Sequence, residues 1–464
     1  ASPSAIWRGC AGACGRYGRA LNSESRSVIL TPPAATLAAL VGAPARRRWY
    51  RSPRRVPHTS HGASSRRPSV LAHLRKVHLS ARTAGARGSS SYARRCGASP
   101  KMSTLCAVIT GFSGQDATYL AELLLSRGYH IIGVSRSLDG VKPGDSDGPV
   151  LRLAADLSDR SDVERLFQRL SKESFERDIS CLEFYHLAAA SSVFESFIEP
   201  SKSFSSTVTS VCNILECLRE HMKRCCPVKF FHAGSSEMFG QPETYPQNEN
   251  TLFKPRSPYA VGKLAAYNLV SIYREAYGMH VCSGILFNHE SPLRPEKFVT
   301  RKITMGAMRW KTGSREPIRL GNLAAERDWG AAKDYVRGMY LMMQQERPDD
   351  YIIATGKTHS VEDFVSAAFK CVGVQVAWEG EGLGRVGYDA NTQEPLCVVD
   401  SEFFRPLEPG GLCGDCSKLE KLGWVREYSF EGMVAEMVHS DMERADAEAQ
   451  RAMMGAGALE TPPR

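Results

Sequence analysis

The chain has 464 residues, 59 lysines and arginines against 50 acids, and 42% hydrophobic residues, which is enough for one large or two ordinary domains with a sizeable core. Residues 1–100 hold 18 of the bases and one acid, Glu24, leaving 41 bases against 49 acids in the remainder, so the formal charge of +9 does not point to a nucleic-acid-binding fold. No apolar run reaches the ~18 residues of a membrane span, and 14 scattered cysteines read as reduced thiols of a cytoplasmic compartment rather than as a disulfide framework.

Residues 1–101 are rich in Arg, Ser, Ala, Gly and Pro and carry no sustained helix or strand period, which reads as a disordered basic leader. It suits a plastid or mitochondrial transit peptide, or translated upstream sequence, since Met102 is the first methionine. A basic tail that binds RNA or an anionic membrane ranks third, because aromatics are few and no amphipathic stripe is visible.

From Leu105 apolar runs alternate with amphipathic stretches. Strands are predicted at 105–110, 131–135, 150–154, 183–187, 229–233, 281–286 and 351–354, and helices at 119–127, 159–170, 203–219, 260–277 and 335–344. This is an α/β pattern: a Rossmann-like, doubly wound parallel sheet with a smaller C-terminal substrate-binding domain, and ligand at the carboxyl ends of the strands. The expected divisions are a dinucleotide-binding domain at 102–286, completed by about 331–372, a substrate domain at 287–330 and 373–445, and a tail at 446–464.

The first strand runs into Gly111-Phe112-Ser113-Gly114-Gln115-Asp116-Ala117. Glycines there permit a tight turn and bring a pyrophosphate to the helix N-terminus. The second strand ends Val134-Ser135-Arg136 without the acid that holds an NAD ribose, which favours NADP with Arg136 at its 2′-phosphate. Asp156 and Leu157 follow the third strand at the adenine edge. Leu187, Ala188 and Ala189 end the fourth with small side chains suited to a cofactor lying across them.

Tyr259 and Lys263 stand four apart, on one helix face, where an ammonium assists a phenolate and reaches a nicotinamide ribose. Ser235 and Glu237 follow the fifth strand, the serine to hydrogen-bond a substrate hydroxyl and the carboxylate to take a carbon-bound proton. Cys413 and Cys416 form a C-x-x-C without a second pair or a histidine nearby, so no metal is assigned.

Seven segments, T-G-F-S-G-Q-D, S-S-E-M-F-G, R-S-P-Y-A-V-G-K, G-I-L-F-N-H-E-S-P-L-R-P, F-V-T-R-K-I, L-G-N-L-A-A-E-R-D-W-G and I-A-T-G-K-T-H-S, resemble the GDP-mannose 4,6-dehydratases, extended short-chain dehydrogenases, over about residues 104–440. The resemblance implies oxidation at C4 by NADP, loss of water across C5 and C6, and return of hydride to C6. It implies Tyr259, Lys263, Ser235 and Glu237 as the catalytic set, Ser235 replacing a usual Thr. It places Gly111, Gly114, Gln115, Asp116, His289 and Arg294 at the cofactor, and Asn288, Arg294, Thr300, Lys302, Asn322, Arg327, Arg405 and Glu408 around GDP-mannose. The Arg/Ser-rich arm common after the second strand is replaced by a short Asp/Gly-rich loop at 138–149, Thr207 and Ser210 replace Asn and Gly, and Phe239 replaces Tyr. A homodimer packed through helices including that of Tyr259 is expected, with a tetramer as the alternative. The rival readings are a sugar-nucleotide reductase or epimerase on the same scaffold and, more remotely, a non-catalytic NADP-binding regulatory protein.

Overall fold

Five consecutive residues, Cys106–Thr110, are fully buried, as expected of a central parallel strand with helices on both faces. They belong to β1 (Thr104–Thr110), and the sheet around them is formed by β2 (His130–Ser135), β3 (Val150–Ala154), β4 (Ile179–His186), β5 (Val228–Ala233), β6 (His280–Leu286) and β11 (Tyr351–Ile353). The order is β11-β6-β5-β4-β1-β2-β3, and every pairing is parallel. The chain runs outward from β1 through β2 and β3, then crosses to β4 on the other side, so the loops after β1 and β4 face a crevice at the switch point. The computed structural model describes residues 104–138, 149–405 and 407–457. The leader, most of the loop after β2 and the end of the tail lie outside the described residues.

Two apolar layers cover the sheet. Leu120 and Leu124 of α1 (Gln115–Leu125) pack with Tyr335 and Met339 of α8 (Ala332–Met343). Opposite them lie α2 (Arg160–Glu176), α5 (Ser210–Arg224) and α6 (Pro258–Tyr277), which contribute Val163, Leu166, Ile214, Leu218, Ala266 and Val270. A third core joins α7 (Val299–Lys311), α9 (Val361–Cys371) and α11 (Phe430–Gly457) to a four-stranded sheet through Ile303, Phe364, Leu396 and Val434. That sheet has the order β13 (Val376–Glu379), β14 (Val386–Asp389), β15 (Pro395–Val399), β8 (Ile318–Leu320). Two short pairs connect the regions: β7 (Asn288–Glu290) runs parallel to β10 (Trp329–Ala331), and β9 (Glu326–Arg327) antiparallel to β12 (His359–Ser360). No described helix is long and apolar enough to cross a membrane.

The helix expected at 203–219 forms, with a π-turn inside it. It begins as α4 (Pro200–Phe204), passes through a π-turn at Ser205–Thr209 and continues as α5. The cause is local: Ser206 Oγ donates to the Ser203 carbonyl at 3.0 Å and Ser210 Oγ to that of Ser206 at 2.8 Å, and such back-bonding loosens the helical ladder. The helix expected after Trp424 runs on to Gly457. Cys413 and Cys416 are buried free thiols, and burial pushes both up, Cys416 to about 12.

Candidate active site

Gly111 turns the chain after β1 with φ +69°, and a Cβ there would sit 3.0 Å from the backbone of Ala188. The loop is therefore pressed against the end of β4, leaving no room for a side chain. Gly114 is the N-cap of α1 and offers no side-chain cap, so first-turn amides of that helix stay available to an anion. Thr110 Oγ1 accepts from the amides of Leu187 and Ala188 at 3.1 and 3.2 Å, fixing the two loops together.

Gln115 and Asp116 direct their side chains to the segment after β6. Gln115 Nε2 donates to the His289 carbonyl at 2.9 Å, Ser291 Oγ donates to Gln115 Oε1 at 2.8 Å, and Asp116 Oδ2 lies 2.9 Å from His289 Nε2. Burial works to raise the Asp116 pKa, but the charge and hydrogen bond of His289 with the charge of Arg294 outweigh it and hold it below normal. The same pairing lifts His289 above its usual value against its own burial. Asp156 is held low by two hydrogen bonds from Ser158, with Arg136 contributing. Leu157 is buried, and its carbonyl accepts from Asn213 Nδ2 at 3.2 Å.

The catalytic candidates converge between β5 and α6. Ser257 caps α6 by accepting from the Ala260 amide, and Pro258 occupies the first turn; this fixes Tyr259 and Lys263 one above the other, Nζ lying 5.8 Å from the ring centroid. Lys263 is 5% exposed and donates to the Ala233 carbonyl at 2.7 Å. Its burial lowers the ammonium to about 8. Burial raises Tyr259 to about 12, with a hydrogen bond from Ser235 opposing, Glu237 adding to the rise and Arg294 opposing. At neutral pH these residues by themselves thus favour a phenol and an ammonium. Ser235 Oγ accepts from the Glu237 amide at 3.3 Å, so one short turn carries both residues.

The Glu237 carboxylate is itself engaged, accepting from Arg405 at 3.0 Å. Arg327 reaches Glu408 at 2.8 Å and donates to the Glu326 carbonyl at 2.7 Å. Lys302 lies 3.8 Å over the Phe403 ring, and both line a cavity of about 330 Å³ with Arg309 and Arg319. Asn288 lies on β7, paired with Trp329, and Asn322 Oδ1 accepts from the Ala324 amide. Arg294 packs 3.8 Å over the Phe298 ring and lies 3.3 Å from Glu290. Thr300 is 1% exposed and donates to that same Glu290 at 2.6 Å, so its hydroxyl is committed inside the fold.

Sequence reasoning missed Asp328. Its carboxylate accepts from the amides of Thr355, Gly356 and Gly414 and from the Thr355 hydroxyl, at 2.7–3.1 Å. It pins the loops beneath Arg327. Four donors from two distant loops leave no local signal beyond the R-D-W-G motif.

A family model described as GDP-mannose 4,6 dehydratase matches residues 108–437. The chain is 42% identical over 347 residues to a GDP-mannose 4,6-dehydratase of Sinorhizobium fredii, covering 72% of this chain and 96% of that one. It is 39% identical over 352 residues to the human GDP-mannose 4,6 dehydratase, covering 73% and 91%. Among solved structures, UDP-glucose 4-epimerase of Thermus thermophilus in complex with NAD aligns with a TM-score of 0.59 at 22% identity, over 73% of this chain and 99% of that one. At that identity the likeness is one of fold.

Proposed function

The chain belongs to the GDP-mannose 4,6-dehydratase family, and from that premise we propose that it is a hydro-lyase converting GDP-mannose to GDP-4-dehydro-6-deoxy-mannose with NADP as bound cofactor. The observation that carries this reading is Glu237, a carboxylate on the same turn as Ser235 and close enough to Tyr259 to act on its pKa. A reductase or epimerase on this scaffold needs Tyr259 and Lys263 but has no use for a third acid-base group.

A nicotinamide dinucleotide fits the residues present. The Gly111 turn and the uncapped start of α1 suit a pyrophosphate. Asp156 and Leu157 suit the adenine edge, and Leu187, Ala188 and Ala189 the floor. Arg136, with no acid at the end of β2, supports NADP over NAD. His289 and Arg294, tied to Asp116 and Glu290, stand on the nicotinamide side with Tyr259 and Lys263. When bound, NADP supplies the acceptor for hydride from C4 and the donor of that hydride to C6.

The protein's own groups handle protons. Ser235 holds the C4 hydroxyl, and Tyr259, first converted to its phenolate with the Lys263 ammonium and the positive charge of an oxidised nicotinamide favouring that form, takes its proton. The ketone at C4 acidifies C5-H; Glu237 removes that proton and gives one to the C6 hydroxyl, which departs as water. The proton gained from O4 balances the one restored to C5 as the 4-keto, 6-deoxy product forms. Asn288, Lys302, Asn322, Arg327, Arg405 and Glu408 make up the GDP-sugar site, with Arg294 at its edge; Thr300, its hydroxyl held by Glu290, supports that edge from within the fold and makes no contact with the sugar. Arginines suit the diphosphate and Glu408 accepts from guanine.

Exposed Val261 and Ile272 on one face of α6 support a homodimer packed through that helix.

In the Glu237→Gln variant, product formation and exchange of C5-H with deuterated solvent should collapse while NADP binding survives. Undiminished formation of a 4-keto sugar, read as loss of one water by mass, would reject the assignment.

A further inference from the structure

The carboxylate assigned as the base is not free. Arg405 NH1 donates to Glu237 Oε1 at 3.0 Å across 168 positions of sequence, and both side chains are largely withdrawn from solvent, at 29% and 12% exposure. Such a pair is screened less by solvent and salt than a surface salt bridge. Arg327 and Glu408, both assigned to the GDP-sugar, make a second pair at 2.8 Å, with 10% and 31% exposure. Both arginines assigned to the nucleotide diphosphate are therefore paired with carboxylates of the protein itself.

We propose that Arg405 gates Glu237: the substrate's diphosphate draws the guanidinium onto itself and thereby releases the carboxylate to take the C5 proton. This rests on the reading of the site as a GDP-sugar site. A guanidinium prefers a bidentate contact with a diphosphate, whose two negative charges exceed the one of a carboxylate, and the contact to Glu237 is made through a single nitrogen. Arg405 thus links nucleotide recognition to proton abstraction. A sugar without a diphosphate meets a base that is still occupied, and specificity follows from the exchange.

Such coupling is reciprocal. If the diphosphate must displace Glu237 from Arg405, then Glu237 weakens diphosphate binding. The measurement is the affinity of the NADP-loaded full-length protein for GDP by titration calorimetry, in the parent chain, E237Q, R405Q and the double variant. E237Q should bind GDP roughly three- to tenfold more tightly, and the gain should vanish in the R405Q background. Arg405→Met serves in place of R405Q if that variant does not fold. The gate is rejected if E237Q binds GDP no more tightly than the parent chain. An equal gain in the double variant also rejects it, because the effect would then be direct repulsion between Glu237 and the phosphates. No GDP binding by the parent chain would overturn the nucleotide reading of the site and the gate with it.

Discussion

Lys263 shows how the site trades stability for chemistry. Its ammonium is buried on α6 and partnered by the Ala233 carbonyl, and the fall from 10.5 to about 8 corresponds to about 3 kcal/mol of penalty on the charged form. The unfolded chain keeps this proton to about 10.5 while the folded chain releases it from about 8, so this group makes stability rise with pH across that window. Below it the penalty is present in full. Lys263→Met removes the penalty and loses one hydrogen bond worth about 1 kcal/mol. The variant should melt about 2–5 °C higher at pH 7 and turn over at least ~100-fold more slowly. By pH 10 its advantage in scanning fluorimetry should shrink; an equal or lower melting temperature at pH 7 would contradict the burial argument. The spacing of Tyr259 and Lys263 was legible in the sequence because a helix sets it. The contacts of Glu237 with Arg405 and of Asp116 with His289 were not, since each joins residues more than 160 positions apart.

At the level of elements, α11 reaches the substrate loop through buried charge. Arg301 of α7 and Asp441 of α11 form an ion pair in which each side chain is 2% exposed. Arg301 Nε donates to the Arg294 carbonyl at 3.1 Å, and Arg444 bridges Asp441 and the Pro292 carbonyl. Asp441→Asn strands the Arg301 charge, and breaking one partner of such a pair costs about 3–5 kcal/mol. Urea unfolding should show that loss, with a raised KM for GDP-mannose as the 292–294 turn loosens. Arg301→Met with Asp441→Leu should recover most of the stability without restoring KM. Full stability in D441N would show that the pair holds nothing. The long β-strands were legible from their apolar runs, and α6 from its period and its Ser-Pro start. By contrast, α7 begins at Phe298 without a side-chain cap, so no start signal marks it. β8 has three residues, too few for an alternation to register. α9 carried a readable capping box, Ser360 to Asp363, beside an apolar stretch that periodicity alone left unassigned.

For the whole molecule, the proposed homodimer would be built on a face that the Rossmann sheet neither covers nor explains. Val261 and Ile272 lie eleven residues apart on α6, three helical turns and one face, and are 47% and 54% exposed. Next to Val261 a groove of about 550 Å³ is lined by Pro200, Phe204, Pro258 and Val261 together with the polar Ser201, Ser205 and Thr209. The α6 that carries Tyr259 on its buried side thus presents Val261 and Ile272 on its other side, with exposed Asn268 between them, a face that an isologous two-fold contact can use. Because a two-fold interface repeats every substitution, two aspartates on each chain place four like charges in one apolar contact. Val261→Asp with Ile272→Asp should therefore convert a dimer into a monomer, read as a halved mass by light scattering after size exclusion. Both positions are exposed in the single chain, so far-UV circular dichroism and NADP binding should be kept. An unchanged mass would move the contact elsewhere, whereas loss of the folded signal would mean that α6 depends on its partner for stability.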